Sequence, residues 1–331
     1  GLTALSASLV AISANAGEMS VSGSAKIASE GFTGENQDGG TTFSMGNQLT
    51  FSGSGELENG LNVTLSFVLD QNDDSTAANG AYTGGPFDSH SVSIGNDSVG
   101  TLVFAGEGGS TASGAIDTTA AGDLWDAFDG KTYNDTASSD ATIPDLAQTA
   151  AAGDNSILYT SPELVDGLTL VGSYKPQGTA NRESSTGYGI NYTGVEGLSV
   201  HYADTEVVGA TTAADGDNTV IKASYAYGPV TVSYSNMDHD LGATDSSTDI
   251  EVTSYAISYS VTDSISLTYG NEESEKGSTG TTDAEIDAIS ASYTAGGMTI
   301  SASMYDGENL AYGTGANEDI EYWSLSASFA F

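Results

Sequence analysis

The residues with the greatest capacity for chemistry are carboxylates concentrated in one stretch of the chain. Residues 106–154 contain a single basic side chain, Lys131, and nine acidic ones. The acidic side chains of this stretch are Glu107, Asp117, Asp123, Asp126, Asp129, Asp135, Asp140, Asp145 and Asp154. Such a concentration of negative charge attracts cations and repels anions. The stretch therefore indicates either a site that attracts cations or a solvated acidic loop on the surface.

A second set of acidic residues is a candidate for metal binding. Asp73 and Asp74 are adjacent, and Asp215 and Asp217 belong to an Asp-Gly-Asp-Asn run. Ca²⁺ takes six to eight oxygen ligands from carboxylates and carbonyls, but no segment has the spacing of an EF-hand loop. We expect that the protein requires no cofactor, with Ca²⁺ as a candidate ligand of these acidic loops.

The overall charge excludes nucleic acid as a partner, and the motifs give no support to an enzyme. The chain has Lys+Arg 6 against Asp+Glu 45, a net charge of −39, so it cannot clamp the phosphates of a nucleic acid. Without cysteine it has no thiolate zinc site and no cysteine nucleophile. No G-x-S-x-G, phosphate-binding loop or H-E-x-x-H motif is present, and the three histidines are scattered. The sequence does not predict an enzyme.

The elements that must position these residues are β-strands. From Met19 onward, apolar residues alternate with Ser, Thr and Asn over segments of about eight to twelve residues, which is typical of half-buried strands. The clearest alternating set is Leu61, Val63, Leu65, Phe67 and Leu69. No run of 18 apolar residues occurs, so a membrane-spanning helix is not predicted.

The connections between these segments alternate between short and long. The short ones lie near residues 58–60, 96–100, 162–167, 194–197, 228–229, 261–264 and 295–297. Counting strands between them predicts about sixteen, with tight turns at one end and long loops at the other, as in outer-membrane barrels. Aromatic residues near both strand ends predict two girdles: Tyr174, Tyr202, Tyr234 and Tyr269 at one end, and Tyr227, Tyr259, Tyr293 and Phe331 at the other.

The first sixteen residues differ from the rest. Residues 1–16 are uncharged, have a short apolar core and end in Ala14-Asn15-Ala16, a pattern typical of the end of a secretory signal peptide. We therefore expect residues 1–16 to be a signal-peptide remnant and residues 17–331 to form one β-barrel domain.

Two segments carry a resemblance to a known family. Residues 155–162 followed by Asp166-Gly167-Leu168 form a characteristic hairpin, and residues 322–331 form a last strand with alternate aromatics that ends on Phe331. With the strand count, these features resemble the trimeric general-diffusion porins of Gram-negative bacteria, especially the alphaproteobacterial type. The resemblance implies a 16-stranded antiparallel transmembrane β-barrel, a homotrimer in outer-membrane lipid, and a long third loop, residues 106–154, folded into the lumen.

The resemblance also implies where the pore is narrowest. Residues 123–129 are expected to form a short helical turn whose apolar side chains pin the loop to the wall. The carboxylates expected to face the water path are Asp117, Asp123, Asp126, Asp129 and Asp135. Members of the family oppose this loop with arginines, whereas here only Lys26 and Lys222 lie well within strands, at positions whose parity places them in the lumen. This departure predicts a cation-preferring pore.

The functional prediction is an outer-membrane channel for passive diffusion of cations and small hydrophilic solutes. A substrate-selective channel, with Trp125 and Phe128 as an aromatic slide for sugars, is the first alternative. A secreted, Ca²⁺-stabilised β-rich surface protein is the second. A barrel-embedded hydrolase would need a Ser/His pair on adjacent outward-facing strands, and the scattered histidines give it no support. Small residues on the lipid side of early strands, at Gly23, Ala25, Gly53 and Gly55, predict close packing between barrels.

Overall fold

A computed structural model describes residues 17–33, 41–70, 87–128, 132–135, 139–142, 155–177, 183–209, 215–241, 249–313 and 319–331. The predicted signal-peptide remnant, residues 1–16, lies outside this part of the chain. The alternating segments form the predicted strands. In chain order they are β1 Glu18–Thr33, β2 Thr41–Glu56, β3 Asn62–Asp70, β4 Ser89–Asn96, β5 Gly100–Glu107, β6 Thr132–Asp135, β7 Ser139–Thr142, β8 Ser156–Thr160, β9 Leu168–Lys175, β10 Ser184–Tyr192, β11 Leu198–Val208, β12 Gly216–Tyr227, β13 Val230–Leu241, β14 Ile250–Thr262, β15 Ile265–Lys276, β16 Ala284–Ala295, β17 Met298–Glu308 and β18 Ile320–Ala330.

Sixteen of these strands close into a single antiparallel barrel. Each strand pairs with its neighbours in chain order, β5 pairs with β8, and β1 completes the ring by pairing with β18. Strands β6 and β7 form a separate hairpin within the long third connection. A closed ring leaves no strand edge without hydrogen-bond partners. The prediction of a sixteen-stranded antiparallel barrel is confirmed.

The seam between the two ends of the chain depends on a glycine. Gly23 N donates to Phe331 O at 2.8 Å, and Phe331 N donates to Gly23 O at 3.0 Å. A Cβ atom at Gly23 would lie 2.6 Å from Phe331 Cε2, so a side chain at this position would have to displace the Phe331 ring. The space beside Gly23 is thus filled by this chain's own last residue. A Cβ at Gly53 would meet no atom within 4 Å. Close packing between barrels at Gly23, Ala25, Gly53 and Gly55 stays a prediction.

Tight turns occur at each of the predicted places, between residues 57 and 61, 96 and 100, 161 and 168, 192 and 198, 227 and 230, 262 and 265, and 295 and 298. Because the strands alternate in direction, all these turns lie at one end of the barrel and all the long connections lie at the other. We call these ends the turn end and the loop end. The predicted asymmetry is therefore present.

The two faces of the wall differ in chemistry. Residues paired across neighbouring strands share a face, so the register assigns every strand position to the lumen or to the outside. Large apolar side chains at outward positions remain exposed, as at Val21, Tyr255, Ile289 and Phe331. Inward ones such as Ile286 and Ile320 are buried. This is the surface that a barrel presents to a lipid bilayer. Seven of the eight aromatic residues of the two predicted girdles occupy outward positions in the strand register, and Phe331 shares its face with outward Gly23 through their paired backbone hydrogen bonds.

Outward carboxylates adjoin the aromatic girdle at the loop end of the barrel. We call this set, which includes Asp238, Glu273 and Glu275, the acidic belt. On β13 the outward positions change from Tyr234 to Asp238 within four residues, and on β15 they change from Tyr269 to Glu273. A charged side chain on a lipid-facing position is destabilising towards the bilayer midplane and tolerated near its interfaces. The change from aromatic to carboxylate side chains therefore marks where the apolar band ends on the side of the loop end. Among the described residues, no helix is long and apolar enough to cross a membrane.

Candidate pore constriction

The third connection folds into the barrel and follows its inner wall. Ala112 N donates to Ser173 Oγ of β9 at 2.9 Å. Ser113 N and Ser113 Oγ donate to Thr205 Oγ1 of β11 at 3.2 and 2.7 Å. These hydroxyls occupy inward strand positions, where the alternating pattern places Ser and Thr. The first part of the loop is thus fastened to the wall by hydroxyls.

The fastening continues along the next strands. Ala120 N donates to Ser235 Oγ of β13 at 2.7 Å, and Ala121 N donates to Ser254 Oγ of β14 at 3.0 Å. Each hydroxyl satisfies a loop N–H that has no partner in a regular element. The inner wall therefore supplies loop partners strand by strand around the lumen.

Glu272 of β15 is a fastening point that sequence reasoning missed. Its side chain is buried and accepts three hydrogen bonds from the loop. Thr119 Oγ1 donates to Oε2 at 2.7 Å, Leu124 N donates to Oε2 at 3.2 Å, and Trp125 N donates to Oε1 at 3.4 Å. The only signal in the sequence is its inward parity, two residues after Gly270, because neighbouring carboxylates on this strand face outward.

An apolar anchor follows these contacts. Residues Leu124–Ala127 form one turn of 3₁₀ helix, as predicted for this segment. Trp125 and Phe128 are 1% and 0% exposed and pack in a cluster with Ile286 and Ile320 of the wall. The prediction that apolar side chains pin the loop to the wall agrees with this packing. Neither ring faces the water path, so neither is available as an aromatic slide.

The loop carboxylates differ in environment. Burial, and then the nearby Asp123 carboxylate, raise the pKa of Asp117 to about 6, with Lys222 opposing the shift. Asp123 Oδ1 accepts a hydrogen bond from Thr119 N at 2.7 Å, and Asp126 is exposed. These three carboxylates therefore lie on the described part of the internal loop. Asp129 lies outside the described residues. The backbone of Asp135 belongs to β6.

The two predicted lumen lysines lie in different settings. Lys222 of β12 is half-buried, and its Nζ donates to Thr118 O of the loop. Lys222 therefore lies against the loop rather than across the lumen from it. Lys26 is exposed on the inner face of β1. Neither lysine forms an ion pair with a carboxylate of the described chain.

The candidate calcium ligands do not come together in the described residues. Asp215 Oδ1 accepts a hydrogen bond from Gly209 N at 2.9 Å, whereas Asp217 is exposed on the outward face of β12. Asp73 and Asp74 lie outside the described residues. A different carboxylate trio, Glu273, Glu275 and Asp283, has ligand atoms within 4.8 Å of one another on the acidic belt. Calcium binding stays a prediction.

The three histidines differ in their contacts. His90 Nδ1 lies 4.0 Å from Glu107 Oε2, and His239 is buried on the inner face of β13. His201 of β11 lies between two polar partners, Ser199 and Asn191. Sequence reasoning missed this trio because Asn191 lies on the preceding strand, although Ser199 and His201 share a face at a spacing of two.

Comparisons with known proteins agree with this architecture. A family model described as Gram-negative porin matches residues 1–331. A loop-deletion mutant of OmpT, an outer membrane protein of Vibrio cholerae, is similar in structure with a TM-score of 0.67 at 16% identity, covering 96% of this chain and 100% of that chain. A porin refined at 1.8 Å resolution gives a TM-score of 0.64 at 17% identity and a triple mutant of Rhodopseudomonas blastica porin gives 0.62 at 17% identity, each covering 95% of this chain and 100% of its own. At these identities the likeness concerns the fold. No curated relative matches the sequence.

Proposed function

This chain belongs to the Gram-negative porin family and is an outer-membrane β-barrel, and we propose that it forms a water-filled, cation-preferring channel for passive diffusion of ions and small hydrophilic solutes. The observation that carries the proposal is the internal loop, which is fastened around the inner wall and bears carboxylates. A narrowing with charges of one sign concentrates cations and excludes anions.

The distribution of positive charge supports the cation preference. Lys222 places its ammonium against the Thr118 carbonyl and beside Asp117, so its charge is offset by the loop. Lys26 is exposed in the lumen without an ion-pair partner among the described residues. Against these two ammonium groups stand three loop carboxylates, Asp117, Asp123 and Asp126. The net charge of these five lumen groups is therefore negative, which favours cations.

General diffusion is favoured over a substrate-selective channel by the burial of the loop aromatics. A slide for sugars needs exposed aromatic faces along the path, but Trp125 and Phe128 pack into the wall cluster. Saturable, stereospecific solute flux would instead support the substrate-selective alternative.

We further propose that the barrel assembles as a homotrimer. The lipid-facing surface near Gly53 is open and carries small residues, which allows the close approach of a second barrel. Steps of conductance in small multiples of a unit, together with the mass of the purified assembly, test this proposal separately from ion preference.

The decisive experiment is the reversal potential of the purified channel in a planar bilayer under a KCl gradient. We expect a potential close to that of K⁺, and a loss of preference at about 1 M salt, where the Debye length is only about 3 Å. In a matched variant, replacing Asp117, Asp123 and Asp126 by Asn should move the potential towards zero without closing the channel. Anion preference in the unmodified channel would contradict the electrostatic argument and leave the fold intact.

A further inference from the structure

Three polar side chains form a connected group on the inner wall near the turn end of the barrel. Ser199 Oγ lies 2.5 Å from His201 Nε2, and His201 Nδ1 lies 2.8 Å from Asn191 Oδ1. Ser199 and His201 are two residues apart on β11 and therefore share a face. Asn191 is the direct cross-strand partner of His201 on β10. The strand register itself thus brings the three groups into line.

The hydrogen bonds select one tautomer of the imidazole. In this orientation of the amide, the Asn191 oxygen accepts from the ring, and the neutral imidazole then carries its proton on Nδ1. The lone pair of Nε2 then faces the Ser199 hydroxyl, which donates to it. This is the state in which a histidine can take a proton from a serine, with a third group holding the ring in place.

The group is reachable from the lumen. Ser199, His201 and Asn191 are each only partly buried, and Ser199 lies two residues beyond the tight turn that precedes β11. Lys222 is the cross-strand partner of His201 on the other side. The Lys222 ammonium donates to the Thr118 carbonyl of the internal loop, so the group lies beside that loop.

We propose that Ser199, His201 and Asn191 form a hydrolytic site for small carboxylic esters that enter the lumen. Ser199 Oγ bonds to the ester carbonyl carbon while its proton passes to His201 Nε2. The alkoxide leaves with that proton, and water then cleaves the acyl-serine bond to release the carboxylic acid and restore the hydroxyl. Asn191 acts through His201 and is a positioning residue. The proposal rests on the proposed function only in that water and solute reach the inner wall.

Because the residue that positions His201 is Asn rather than Asp, ester hydrolysis is expected to be slow. A neutral amide orients the ring but does not stabilise the imidazolium that forms during the reaction, as a carboxylate does. Turnover is therefore expected to be slow, and covalent labelling of the serine is a sharper readout than hydrolysis.

The test uses the full barrel purified in detergent and a fluorophosphonate probe, with the labelled residue located by peptide mass mapping. The unmodified protein should be labelled at Ser199, and Ser199→Ala should lose that label. His201→Gln should slow labelling by at least about 100-fold, the usual contribution of a general base. Ser224→Ala is the matched control because Ser224 is the cross-strand neighbour of Ser199 without a histidine contact; it should be labelled like the unmodified protein.

The positioning role of Asn191 is tested by the labelling rate and its pH profile. Asn191→Ala should slow labelling by about tenfold or more and change its pH profile, since the ring loses its fixed tautomer, and Asn191→Asp should restore the rate. Conductance of each variant in a planar bilayer verifies that the barrel is folded and reports separately on the channel proposal. If the unmodified protein is labelled no faster than Ser199→Ala, or if the probe reacts with other serines instead, the hydrolytic site is refuted.

Discussion

Removing the Glu272 carboxylate tests whether the barrel wall holds the internal loop in place. The carboxylate accepts hydrogen bonds from Thr119 Oγ1, Leu124 N and Trp125 N at 2.7, 3.2 and 3.4 Å. A hydrogen bond to a charged group contributes about 1.5–3 kcal/mol, and a buried donor without a partner costs about 1–3 kcal/mol. Because the Trp125 contact is long and the Leu124 contact lies at the upper limit of the ordinary range, we expect Glu272→Ala to weaken loop docking by about 4 kcal/mol.

The consequence is measurable in single channels. About 4 kcal/mol corresponds to nearly a 10³-fold rise in the population of undocked loop, since each 1.4 kcal/mol is a factor of ten. The anchor formed by Trp125 and Phe128 remains, so we expect transient detachment. Recordings in planar bilayers should show a larger mean conductance and more current noise than in the unmodified channel.

Two variants separate the lost hydrogen bonds from the lost charge. Glu272→Gln keeps one carbonyl oxygen that can accept from the Thr119 hydroxyl, so its conductance and noise should be intermediate. Asp70→Asn removes a carboxylate from the inner face of β3, away from the described loop contacts. The reasoning is refuted if Glu272→Ala behaves like the unmodified channel, or if Asp70→Asn reproduces its effect.

Three further predictions concern charge and closure. Because the pKa of Asp117 is raised to about 6, its carboxylate is charged above that pH and neutral below it. Cation preference measured by reversal potential should therefore fall as the pH drops from about 7 to about 5. Asp117→Asn should abolish this pH dependence of the reversal potential. Lys26→Glu should strengthen cation preference, because it reverses an exposed lumen charge; an unchanged reversal potential would show that Lys26 lies outside the narrowing. Gly23→Val should destabilise the seam by about 1–3 kcal/mol through overpacking against Phe331, seen as a lower temperature for the gel-mobility change of the folded barrel. Gly172→Val is the control, because a Cβ at Gly172 on the outward face of β9 meets no atom within 4 Å, and it should leave that temperature unchanged.

Strand count and turn positions were predictable because their causes are local. Alternation of apolar and hydroxyl residues places side chains on two faces, whatever the rest of the chain does. The short turn after β12, at residues 228–229, lies between two such segments and could be read directly. The parity of Lys26 and Lys222 followed from the same rule, and both lie on the inner face.

The fastening of the loop was only partly predictable. The apolar residues of the segment 123–129 indicated an anchor, and Leu124–Ala127 is helical with Trp125 buried. Glu272 could not be recognised as a loop partner, because it lies 153 residues from Thr119 in the chain. Nor could Lys222 be placed beside the loop rather than opposite it, since parity assigns a face but not a neighbour.

The sequence by itself determined the closed antiparallel barrel, its two girdles and its strongly acidic character, because periodicity, turn residues and composition act over a few residues at a time. Only the tertiary structure decided which inner-wall groups meet. Glu272 joins Thr119, and Ser199 and His201 join Asn191, because closing the ring and fixing the strand register set distances between residues that are remote in the chain or on different strands. Those distances, rather than the residue types alone, determine which carboxylates hold the loop and which side chains can act together.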